Sequence, residues 1–314
     1  MTSSSHPRTR PAGAFAAATV AAGMLVVALV LVLGGGAPSA PPPGLGSDTR
    51  VPAWIGDLLG FATRAAGAVA IGLGLFTTRW FQQAWLHTRA AAAAIGWAAL
   101  SLLELGVYAL EIDGRAGLFE GHVGRALAIQ AALAAVAGAG WAVSAAAPGR
   151  SLAWPAAIGA LLPLVLAGHA RTAAQPWVAG TALSVHVIAA AAWVGGLVAL
   201  AWVALGDEEW VTLVPRYSRV ALVSALAVPA SGVVAALGRI DVDDLLDSRY
   251  GAIVALKVVA LTGLLGAGWL QRRHVVGRGA HWRGFVALAA LELATMAITF
   301  GLAVGLSRTP PPGG

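Results

Sequence analysis

The segment GHARTAAQPWVAGTALSVHVIAAAAWVGGL, Gly168–Leu197, decides what kind of molecule this is. From Val178 it continues to Leu205 as one apolar stretch whose single ionisable side chain is His186. About 20 apolar residues let a helix cross the hydrocarbon core of a bilayer, so the stretch is read as a transmembrane helix. Trp193 follows His186 one heptad later, and the small pair Gly195 and Gly196 comes next. His169 ends the apolar segment before it. An ionisable group at membrane depth is costly and marks a functional site by default.

The same criterion finds nine spans: Phe15–Leu33, Ile55–Phe76, Ala90–Leu110, Val123–Ala146, Ser151–Gly168, Val178–Leu205, Val220–Leu237, Gly251–Leu270 and Gly284–Leu306. The expected fold class is all-α, a polytopic transmembrane bundle, with four N-terminal spans in residues 1–150 and five more in 151–314. Composition agrees. Hydrophobic residues make up 58% and charged residues 11% of the chain, against roughly 25% charged in soluble domains. Without cysteine, disulfides, thiolate metal sites and thiol redox chemistry are excluded. The net charge of +6 sits in short loops, where it sets orientation and does not suggest nucleic acid. The first span, with its basic start and the small-residue run Ala37–Ala40, reads as an uncleaved anchor; cleavage as a signal peptide would leave eight spans.

Alternate loops carry Arg8/Arg10, Arg79/Arg89, Arg150, Arg216/Arg219 and the group Arg272, Arg273, Arg278 and Arg283. The loops between them carry Glu111, Asp113 and Glu120, then Asp241, Asp243, Asp244 and Asp247. The positive-inside rule puts the N-terminus in the cytoplasm and the C-terminus outside. On that orientation His186 lies ~14 Å and Lys257 ~10 Å below the outer starts of their helices. His169 sits at the outer end of a helix that Pro163 is expected to kink. Arg125 and Tyr108 are close in depth near the outer side, while Glu292, followed by Thr295, Met296 and Thr299, lies nearer the cytoplasm.

Each polar group has a plain reading beside the functional one. His169 is either an interfacial histidine facing water or a site residue, and His186 either a helix-bonded neutral imidazole or a ligand. Lys257 either snorkels outward along its stem or lines a site. Arg64 and Glu104 read as a structural ion pair within the membrane. Glu292 reads as a structural carboxylate or a proton or cation relay. Trp193 reads as packing, and Gly195 with Gly196 as a close helix contact. Imidazole nitrogen suits copper, zinc, nickel and haem iron, and two histidines on consecutive helices make half a metal site.

Four segments then resemble one family, the copper resistance protein D (CopD) family of bacterial inner-membrane proteins. They are GHA at Gly168–Ala170 with HVIAAAAWVGGL from His186; RYSRVAL at Arg216–Leu222 leading into SGVVAALGRI from Ser231; LLDSRYGAIVALKVV at Leu245–Val259; and SRTPPP at Ser307–Pro312. Together they cover the chain from about Leu152 onward. The resemblance implies a multi-pass protein of the inner membrane, not an enzyme, that takes up or handles copper and works with an extracytoplasmic copper-binding protein of the CopC type. It carries over His169 and His186 as candidate copper ligands and Lys257 as a third polar position. A histidine helix with a WxGG-like motif and a later lysine is also similar to HemJ-type protoporphyrinogen oxidases, in which His186 would be an axial ligand of haem b. A copper-delivery assembly factor for a respiratory oxidase is a third reading.

Overall fold

The structure is a computed structural model that describes residues 23–33, 37–38, 50–81, 83–112, 117–143, 151–168, 175–206, 210–237 and 282–308, with scattered positions between 255 and 266. Every described regular element is helical: α1 (Gly23–Leu33), α2 (Arg50–Phe76), α3 (His87–Glu111), α4 (His122–Ala142), α5 (Ala153–Leu161), α6 (Pro163–Ala167), α7 (Pro176–Gly206), α8 (Trp210–Leu237) and α9 (Trp282–Arg308), with a 3₁₀ turn at Ala84–Leu86. Of these, α2, α3, α4, α7 and α8 are long and apolar enough to cross a membrane. The molecule is an all-α membrane bundle.

The physical reason is the lipid itself. Hydrocarbon offers no partner to a backbone N–H or C=O, so a spanning segment must bond its own backbone. Hydroxyls inside the spans do the same locally: Thr63 donates to Leu59, Ser101 to Trp97, Ser184 to Gly180 and Thr299 to Thr295, each onto a carbonyl one turn back. The surface is sorted for lipid. Leu102, Leu103, Leu226 and Val223 are more than half exposed, while Thr63, Ser101, Gln130 and Glu292 are buried.

α2 is the hub. It packs on α3 and α7; α4 packs on α3 and α5, α8 on α7, and α9 on α7 and α2. The core runs through the whole bundle, from Ala68 on α2 to Met296 on α9. α1 closes one side with Val27 and Leu31 against Phe61.

Two expectations are corrected. Pro163 does more than kink the fifth span: α5 ends at Leu161 and α6 begins at Pro163, because proline lacks the N–H that would continue the ladder. Arg216 and Arg219 do not lie in a loop. α8 starts at Trp210 instead of Val220 and contains both, running through Pro215 and Pro229. Arg216 Nη1 donates to the Trp80 carbonyl at 3.0 Å, which provides a polar partner for a cation at the end of the bundle. The expected span Gly251–Leu270 lies mostly outside the described residues.

Candidate functional site

α7 and α8 are antiparallel neighbours, and two side-chain hydrogen bonds cross their seam. One belongs to His186, whose Nδ1 lies 2.9 Å from the Val228 carbonyl. A carbonyl only accepts, so Nδ1 carries a proton, and in the neutral ring Nε2 then holds the lone pair. The Ser231 hydroxyl is 3.4 Å from the same nitrogen and turns back onto the Ala227 and Val228 carbonyls of its own helix. The ring lies against Gly232, where an added Cβ would stand 3.6 Å from Cε1 and Nδ1, an ordinary contact. Pro229, beside Val228, has already removed one donor from the α8 ladder.

The second bond lies seven residues further along α7, ~10 Å away by helical rise. Tyr217 of α8 donates its hydroxyl to the Trp193 carbonyl at 2.6 Å. Its ring rests on Gly196, where an added Cβ would come within 2.5 Å of a ring carbon. Other aromatic rings continue from it. Phe76 lies 6.4 Å from Tyr217 between centroids, Phe81 stacks on Phe76 at 4.3 Å, and Trp80 follows Phe81 at 5.4 Å. A tight turn makes this possible: the Thr77 and Thr78 hydroxyls bond the last carbonyls of α2, and Gln83 N–H returns to the Phe76 carbonyl. Glu292, 5% exposed on α9, is within electrostatic reach of Tyr217.

The expected site residues therefore separate into groups. The Trp193 carbonyl meets the Tyr217 hydroxyl, Glu292 lies on α9, and His186 bonds α8 at a separate point. Arg64 and Glu104 belong to another seam, between α2 and α3. There a Cβ on Gly60 would find Arg64 Nη1 at 2.6 Å and Glu104 Oε1 at 3.2 Å, so both head groups occupy space that a glycine leaves. His169 and Lys257 lie outside the described residues. Among the described residues no three His, Asp or Glu side chains gather as a metal cluster.

Charge is sorted by end. Arg79, Arg89, Arg216 and Arg219 flank the turn between α2 and α3 and the start of α8, where the Arg89 guanidinium lies 4.6 Å from the Trp85 ring and 5.5 Å from the Trp202 ring. Glu111 and Glu120 lie at the opposite end, joined by Asp57 near the start of α2. Arg125 is tied down there, by the Gly121 and Glu120 carbonyls and His122 Nδ1.

Sequence reasoning overlooked Tyr217, Ser231 and Asp57. Tyr217 was hidden because RYSRVAL read as a loop; the apolar run Trp210–Val214 before Pro215 was the available signal that the helix begins earlier. Asp57 lies inside the expected span Ile55–Phe76 and is buried.

Residues 211–306 match the family model described as copper resistance protein D, CopD. Over that stretch the chain is similar to the CopD family. The CopD match opens at the second residue of α8 and runs into α9, so Tyr217, Val228, Ser231 and Glu292 fall within it, while His186 and Trp193 precede it on the helix α8 packs against. No curated protein and no solved structure matches the chain. The match ties this stretch to a family described by copper resistance.

Proposed function

We propose that this chain takes up copper across the cytoplasmic membrane through a site in the outer half of the α7–α8 seam. His186 is one ligand, His169 the second and Lys257 a neighbouring polar group. The observation that carries the reading is the His186 Nδ1 bond to the Val228 carbonyl. Metal-binding histidines commonly give their other N–H to a backbone carbonyl or carboxylate, which fixes the tautomer and orients the ligating nitrogen. An Nε2 lone pair held at that depth suits copper, for which imidazole is a good ligand. Copper is the cargo, handed in from outside by an extracytoplasmic carrier of the CopC type. The orientation follows from the arginine and tryptophan end of the bundle, read as cytoplasmic by the positive-inside rule, with the N-terminus inside and the C-terminus outside.

The test is cellular copper content together with copper bound to purified protein, for wild type, His169→Ala, His186→Ala and the double variant. Each single variant should lose most of the bound copper and of the copper-dependent accumulation. Wild-type copper levels in both single variants would remove the site from this seam. A Soret band in the wild-type protein, lost in His186→Ala, would instead assign His186 to haem b and make the chain a redox protein.

A further inference from the structure

The arginine-bearing end holds a guanidinium by its face and leaves its donors open. Arg89, in the first turn of α3, is exposed, with Cζ 4.6 Å from the centre of the Trp85 ring and 5.5 Å from that of Trp202 on α7. Among the described residues no hydrogen bond or ion pair takes up its N–H groups. A guanidinium stacked on an indole is held through its flat face, and its five donors lie in the plane of the group. The supporting rings are themselves fixed. Trp85 Nε1 donates to Gln83 Oε1 at 2.7 Å, and the Gln83 backbone N–H returns to the Phe76 carbonyl. Trp202 stands in the last turn of the long helix α7. Trp80, Trp85 and Trp202 are each between 43% and 45% exposed, and indoles half in the open at the ends of spans belong at the headgroup layer.

We infer that Arg89, stacked on Trp85 and Trp202, is a binding site for the phosphate of an anionic phospholipid. The planar fork of a guanidinium matches two phosphate oxygens at once, and basic groups at the ends of membrane helices take anionic headgroups. Arg79 beside Trp80, and Arg216 with Arg219 on α8, add positive charge at the same end. A zwitterionic headgroup carries its own cation to these arginines and is the poorer fit. The three tryptophans place the site where lipid phosphates are concentrated, which favours a lipid over an acidic protein. Asp207, Glu208 and Glu209 precede α8 in the sequence and lie outside the described residues. They limit the net positive charge of this end, so selectivity comes from the geometry of Arg89 and not from a bulk field. The site is separate from the α7–α8 seam and does not depend on copper.

The full-length protein, purified in detergent without copper, is titrated with phosphatidylglycerol, phosphatidylcholine or inorganic phosphate. Bound lipid is counted by native mass spectrometry, and Tm is followed in parallel. Phosphatidylglycerol should bind in preference to phosphatidylcholine and raise Tm. Arg89→Lys keeps the charge but loses the fork and the stacked plane. It should lower the affinity for phosphatidylglycerol roughly tenfold, the scale of a charge-assisted hydrogen bond. Arg219→Gln removes a whole charge from the same end and should change the affinity by less than about twofold, since it leaves the stacked fork in place. Equal losses in the two variants make binding a matter of net charge and overturn the site, as does unchanged affinity in Arg89→Lys. Should Arg89→Lys fail to accumulate, Trp202→Leu removes a supporting ring on another helix, and unchanged affinity there overturns it equally. Inorganic phosphate that raises Tm as far as the lipid does overturns the lipid assignment in favour of free phosphate. The combined variant Asp207→Asn, Glu208→Gln and Glu209→Gln should leave the affinity level; a gain of roughly tenfold, one charge-assisted bond, would give Arg89 to those carboxylates and overturn the site.

Discussion

α7 meets its two main neighbours in different ways. Against α2 it comes backbone to backbone: a Cβ on Gly195 would lie 1.7 Å from the Ala68 carbonyl oxygen, and one on Gly72 would lie 1.9 Å from the Gly195 carbonyl. Small residues permit that approach, and van der Waals packing between helices supplies the attraction that lipid cannot. Against α8 it meets an imidazole and a phenol, each making a side-chain hydrogen bond across the seam. The first joint has no second arrangement, because nothing in it can rotate. The second is fastened by bonds from single side chains. α2 and α7 form a frame, and α8 is held to it by those bonds.

The largest effect should come from attacking the frame. Gly195→Ala places a methyl group into the Ala68 carbonyl and should cost more than about 3 kcal/mol, beyond ordinary overpacking, measured as lost monodisperse protein or a collapsed Tm in detergent. Gly196→Ala meets only the Tyr217 side chain and should be milder. Equal losses in the two variants would erase the distinction between frame and seam.

A smaller effect separates the chemistry of the seam from its packing. A ligating imidazole must give up its second proton, so proton and copper compete for Nε2. Bound copper should therefore hold above, and fall below, roughly pH 6.5, the ordinary imidazole value, by about tenfold per unit for one histidine. The folded fraction, set by the frame, should stay level over the same range. Copper affinity that is flat between pH 7.5 and 5.5 would take His186 out of the ligand set.

The smallest effect belongs to a polar bond inside the frame. Gln130 on α4 donates to Ser101 on α3 at 2.9 Å, and Ser101 keeps its own bond to the Trp97 carbonyl. Gln130→Leu should cost about 1 kcal/mol and leave the copper bound per folded molecule unaltered. A loss of bound copper would show that this bond also supports the seam.

Sequence alone determined that this chain is a bundle of membrane helices. Segments as long and apolar as Val178–Leu205 have one way to satisfy their backbone in lipid, and the likeness to CopD was legible in RYSRVAL and the lysine segment, both inside the matched stretch. The place of His186 inside one long helix was legible for the same reason. Its partner was not. Val228 is 42 residues away, and only the packing of α8 on α7 chooses which carbonyl the imidazole meets. The same holds for Tyr217, which looks like a loop residue until α8 is seen to begin at Trp210, and for Glu292, which lies on a third helix. Arg64 and Glu104 read from the sequence as an ion pair, and tertiary structure brings both head groups together in the α2–α3 seam over Gly60. Depth follows from hydropathy along one helix. Azimuth and neighbour follow from which small residues let two backbones touch, and that is a property of pairs of helices.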